Sequence, residues 1–153
     1  MKHYIKQKLR ESLLNEDDDI KQSIISLLKS GDIDNIDLAY MQGPNFNINP
    51  DELVKSIYGE LLNVVEGDTI KDKLIKLLNK YELHLDLSGD LPEAIGYLTN
   101  LRLLYLGGDN LTSLPDSIEK LKNLKELAVW TKPLSDDEKV RIKKLLPNTD
   151  IYF

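Results

Sequence analysis

Few residues in this 153-residue chain stand at spacings that chemistry could use. His84 lies between Glu82 and Asp86, a grouping by type able to move a proton. No nucleophile stands beside it, so the plainer reading is a solvated histidine on one face of a strand. The acidic run Glu16-Asp17-Asp18-Asp19 lacks the interleaved glycine and distal glutamate of a calcium loop and reads as a solvated helix-capping loop. Gly107-Gly108 has no helix start with a Lys-Ser/Thr pair behind it, so it reads as a tight bend after a strand rather than a phosphate cradle. Two separated histidines and no cysteine leave metal chemistry to carboxylates alone, and neither a nucleophile elbow nor an HExxH pair is present. We therefore expect no catalysis, no cofactor and no metal.

What remains is recognition. The residues with the right chemistry are Tyr105 and Trp130, with Glu82, His84, Leu103, Glu126 and Ala128 near them in the pattern described next. Large amphipathic rings beside charged groups suit the anchor of a protein interface. Trp130 has two open readings, an exposed anchor or a ring packed on the helix that follows it.

These residues must be positioned by a repeat. Leu91-Pro92, Ile95, Leu98, Asn100 and Leu101 return 23 residues later as Leu114-Pro115, Ile118, Leu121, Asn123 and Leu124. In the clearest copy, LRLLYLGGDNLTSLPDSIEKLKNL, Leu104 and Leu106 are two apart, as a strand with one buried face requires. Pro115 holds Leu114 extended, and Pro115-Asp116-Ser117 opens a short helical return. Asn110 or Asp109 sits where a side chain can satisfy backbone groups left open by the turn. Stepping by 23 from Leu104/Leu106 gives Leu127/Val129 one way and Tyr81/Leu83 the other. The first unit also fits Leu83/Leu85, and either register keeps Glu82, His84 and Asp86 off the core. The 23-residue step sets His84, Gly107 and Trp130 in one row and Glu82, Tyr105 and Ala128 in the next.

From Leu78 to about Leu134 this pattern resembles the short bacterial and intracellular class of leucine-rich repeat proteins, whose units read LxxLxLxxNxLxxLPxxIxxLxxL. The resemblance implies an α/β fold: a short right-handed solenoid of about three parallel strands plus a terminal strand, each coil burying its apolar face only against its neighbours. It also implies a protein-binding surface on the outward face of the strands.

The flanks read as caps. In LSDDEKVRIKKLLPNTDIYF, Ser135 and Glu138 have capping-box spacing, Val140 and Leu145 with Ile142 or Leu146 form an apolar stripe, and Ile151 and Phe153 alternate as a last strand. Residues 1–80 have helical spacing at Tyr4 to Leu14, Ile20 to Leu28 and Leu53 to Val65, with Gly31 and Asn49-Pro50-Asp51-Glu52 as boundaries. Ser30 to Gly43 reads as a helical turn unit capped by Asp32 or Asp34, similar to the helical lead-in of some bacterial leucine-rich repeat proteins. The expected organisation is a helical N-terminal cap over 1–80, repeats over 81–134, and a cap helix with an edge strand over 135–153.

Charge narrows the partner. The net charge of −6 is shared evenly, with 11 basic and 14 acidic residues in 1–80 and 9 and 12 in 81–153, so neither half is a basic patch for nucleic acid or anionic membrane. The N-terminus MKHYIKQKLRESLL is charged and amphipathic, unlike a signal peptide or membrane anchor. The expectation is a cytoplasmic monomer that binds another protein without catalysis. The alternative is an inhibitor or immunity-type protein that blocks a toxin or enzyme.

Overall fold

The computed structural model describes residues 18–131 and 134–153. The helical stretch read from Tyr4 to Leu14, with Glu16 and Asp17 of the acidic run, lies outside them. Two compact units divide the chain, Met1–Val54 and Lys55–Phe153.

In the first unit, helix α1 runs through residue 28 with Ile24 and Leu28 buried, and Gly31 follows at φ 74° as the left-handed stop. Asp32, not Asp34, caps α2 (Ile33–Gln42), its carboxylate accepting from the Asp34 and Asn35 amides. Asn49 accepts from the Asp51 amide as α3 (Pro50–Tyr58) begins. Tyr40 Oη donates to Asp51 Oδ1 at 2.6 Å; burial, first, and then that carboxylate push its phenol pKa well up.

The sequence pattern suggested one helix from Leu53 to Val65, but α3 stops at Tyr58. Gly59 follows at φ +48°, where an α-helix cannot continue, and Gly59–Val64 tightens into a 3-10 segment. In α4 (Ile70–Leu78) Thr69 caps the first turn, and Leu74, Leu77 and Leu78 are buried.

Four parallel strands then stack in chain order: β1 (Glu82–Asp86), β2 (Leu103–Gly108), β3 (Glu126–Thr131) and β4 (Asp150–Tyr152). Strand residues alternate in facing, so Leu83, Leu85, Leu104, Leu106, Leu127 and Val129 enter the core. The return segments, 3-10 turns at Glu93–Tyr97 and Asp116–Lys120, supply Ile95 and Ile118 from the other side, with Leu91, Leu98, Leu101, Leu111, Leu114, Leu121 and Leu124 between. Each such leucine or isoleucine contributes about 1.5–3 kcal/mol of burial.

Side chains also tie coil to coil. Asn100 Nδ2 donates to Leu78 O at 2.9 Å and Asn123 Nδ2 to Thr99 O at 2.8 Å. Asn110, rather than Asp109, serves the turn, donating to Ser88 O at 3.2 Å. Ser117 Oγ and Thr149 Oγ1 reach back in the same way to Glu93 O and Leu124 O. Each bond satisfies a carbonyl of the preceding coil.

The C-terminal cap differs in detail from the sequence pattern. In α5 (Asp136–Leu145) Ser135 accepts from the Glu138 amide, but the Glu138 carboxylate turns to the Leu114 amide and Arg141. The buried stripe is Ile142 with Leu146, and Val140 is exposed. In β4 Ile151 points inward beside Leu127, whereas Phe153 lies past the strand with Lys139 and Lys143 about 6 Å from its ring centre.

Candidate functional site

Strand register assembles the outward face. β1 pairs with β2 at an offset of 21 residues, His84 opposite Tyr105, whereas β2 pairs with β3 at 23, Tyr105 opposite Ala128. The row joining His84, Gly107 and Trp130, expected from a uniform step, is therefore corrected by two residues. The observed rows are Glu82–Leu103–Glu126–Asp150, then His84–Tyr105–Ala128–Tyr152, then Asp86–Gly107–Trp130. The cause is local: six positions separate Leu85 from Leu91, but eight separate Leu106 from Leu114, so the first coil is two residues short between strand and Leu-Pro turn. The strand leucines of that coil are Leu83 and Leu85, and Tyr81 is exposed ahead of β1.

The face is aromatic at its centre. Tyr105 stacks between His84, at 4.5 Å and 25°, and Trp130, at 5.8 Å and 22°. Trp130 is 66% exposed, so it is an outward ring and not one covered by the cap helix. Both faces of Tyr105 are occupied, which leaves His84 and Trp130 as the ends of a three-ring stack crossing β1 to β3. Ala128 is only 2% exposed; the residue between Tyr105 and Tyr152 is a floor and offers almost no contact area. Leu103 is half-buried between the two glutamates.

Carboxylates border the stack. His84 Nε2 lies 2.8 Å from Glu82 Oε1. The Tyr105 phenol is held above its ordinary range, first by partial desolvation, then by its hydrogen bond to Glu126 and the charges of Glu126 and Glu82. It stays a neutral donor at pH 7. On the opposite border, an Asp86 Oδ1 oxygen leans over Gly107, 3.6 Å from where a Cβ would stand. Asp86 and Tyr152 join the face although neither stands among the recognition residues expected from the sequence; the repeat spacing places Asp86 outward, and only the pairing of β4 with β3 brings in Tyr152.

Among the described residues, no three His, Cys, Asp or Glu side chains are placed to hold a metal ion, and no helix is long and apolar enough to cross a membrane. Asp18 and Asp19 lie on α1, away from any such grouping. Gly107 and Gly108 are the last paired residues of β2 rather than the bend itself, which follows at 109–110; Gly108 has φ +124° and packs on the Leu87 backbone.

No protein-family model matches this chain, and no curated protein matches it. Among solved structures it is similar to a leucine-rich repeat protein of Leptospira interrogans, at 44% identity and a TM-score of 0.48 over 53% of this chain; the match spans 21% of that protein's length. The chain's own geometry carries the assignment. With leucines at a 23-residue step, parallel strands in register and asparagines bonding coil to coil, the fold from β1 onward is a short solenoid of the leucine-rich repeat type, with a helical region ahead of it in the chain.

Proposed function

We propose that this chain is a non-enzymatic protein-protein interaction module that recognises its partner through the outward face of β1 to β3. The observation that supports this reading is the His84–Tyr105–Trp130 stack, held outward on a hydrogen-bonded sheet. Rings already ordered by one another lose little freedom on binding, and exposed Trp and Tyr are the side chains that dominate interface energetics. Glu82, His84, Tyr105, Glu126 and Trp130 make the contacts, with Leu103 and Ala128 as their floor.

The test is affinity purification from the native host with mass spectrometry, followed by direct binding of the captured partner. Trp130→Ala and Tyr105→Ala are each expected to weaken that binding roughly thirtyfold or more while leaving the circular dichroism spectrum unchanged. A partner held equally well by both variants overturns the face as the site.

A further inference from the structure

In the third row of the face, Asp86 and Trp130 stand on either side of Gly107. Gly107 has no side chain, so the strand between them contributes only a backbone floor, while strands two apart are separated by roughly 9–10 Å. One wall of this slot is a carboxylate whose Oδ1 already leans over the glycine. The other is an indole 66% exposed to solvent and steadied by its stacking on Tyr105. The opposite border of the stack repeats the sign, with Glu82, Glu126 and Asp150 in one outward row. Among the described residues, Lys76 and Lys80 line a shallow groove with Tyr81, Glu82 and His84 ahead of β1, at the other end of that strand from Asp86.

We infer that this slot takes the guanidinium of an arginine presented by a basic segment of the partner protein. The inference rests on the protein-binding reading above and names the chemistry of what binds there. A planar cation fits both walls at once, stacking on the indole face while donating to the Asp86 carboxylate. Lysine satisfies this pair less well, because its ammonium is a compact, strongly hydrated charge that neither stacks nor forks onto a carboxylate. The carboxylates of the Glu82 row favour further cationic residues on the same segment by charge complementarity.

Trp130 is the sole tryptophan, so its fluorescence reports this site directly. The full chain is titrated with capped hexa-arginine, hexalysine and hexacitrulline peptides, following fluorescence and, for variants, calorimetry. Hexa-arginine is expected to change Trp130 emission and to bind at least about fivefold more tightly than hexalysine, with hexacitrulline silent. Asp86→Asn and Trp130→Ala each weaken hexa-arginine about fivefold or more, while Glu119→Gln, an equal loss of charge on the Asp116–Lys120 turn, does not. Equal affinity for arginine and lysine peptides with Glu119→Gln as damaging as Asp86→Asn means bulk charge only and overturns the slot. Indifference to every peptide overturns it too. If a native partner is nonetheless lost on Trp130→Ala, the binding face stands and the arginine assignment alone falls.

Discussion

The ring of Tyr105 lies 5.8 Å from that of Trp130 and within 22° of parallel, although the two residues are not register partners: Tyr105 is opposite Ala128, and Trp130 opposite Gly107. The contact is diagonal between neighbouring strands. The residue opposite Tyr105 on β3 is only a methyl group, Ala128, which leaves room for the two large rings to meet.

On the proposed reading the two rings act in binding rather than in folding. Trp130→Ala is expected to cost about 2 kcal/mol or more in partner binding, roughly thirtyfold in Kd. Its effect on folding stability should be under about 1 kcal/mol, since the ring is mostly exposed. Isothermal calorimetry and urea denaturation of the same preparation separate the two effects.

Gly108 is fixed by the backbone beside it. A Cβ there would stand 2.0 Å from the Leu87 carbonyl oxygen at φ +124°, so Gly108→Ala forces β1 and β2 apart and should destabilise by about 2–4 kcal/mol. At Gly89 a Cβ meets nothing within 4 Å, and Gly89→Ala should change stability by no more than about 0.5–1 kcal/mol. Equal denaturation midpoints for the two variants would contradict the close approach.

The cap helix is clamped to the repeats through Glu138 and Arg141, which pair with each other and reach Asp116 and the Leu114 backbone. Arg141 donates from Nε to Glu138 Oε2 at 2.8 Å and from Nη2 to Oε1 at 2.7 Å, and also to Asp116 and the Leu114 carbonyl, while the Leu114 amide donates to Glu138 Oε1 at 2.9 Å. The Glu138 carboxyl is held below its ordinary range, chiefly by the Arg141 hydrogen bonds, with the Leu114 amide adding. A depressed folded-state pKa contributes stability above the unfolded carboxylate value, about 4.3, that is lost as pH falls through the lower folded value. Unfolding free energy measured from pH 6 down to pH 3 should therefore fall less steeply for Glu138→Gln than for the parent. Arg141→Ala should cost about 1–3 kcal/mol at pH 7.

The asparagine bonds between coils should differ by burial. Asn100 bonds Leu78 O in a partly buried setting, whereas the Asn123 bond to Thr99 O is exposed. Asn100→Ala is expected to cost about 1–2 kcal/mol and Asn123→Ala about 0.5 kcal/mol, because water replaces the lost donor more readily at the exposed carbonyl. Chemical denaturation reads both.

Much of this was legible in the residue order. The paired leucines of each strand, the Leu-Pro turns and the asparagine at each coil junction recur because every coil solves the same local packing problem against its neighbours. A repeating solution leaves a repeating sequence. Alternation within ELHLD placed Glu82, His84 and Asp86 outward whichever leucine pair was buried, since a slip of two residues preserves facing. The helix boundaries at Gly31, Asn49 and Ser135 rest on equally local chemistry, a left-handed stop and two side-chain caps.

Three matters were decided only by tertiary structure. The choice of Leu83 with Leu85, and so the stacking of His84 rather than Glu82 on Tyr105, depended on which β2 residues the first strand hydrogen-bonds, 21 positions away. The exposure of Trp130 depended on where α5 lies, and the burial of Ile142 rather than Val140 depended on which side of α5 meets the last coil. Periodicity records that a position faces some apolar surface or some open one; the identity of the neighbour across a sheet, or of the element above a ring, is a relation between distant segments that neither segment encodes alone.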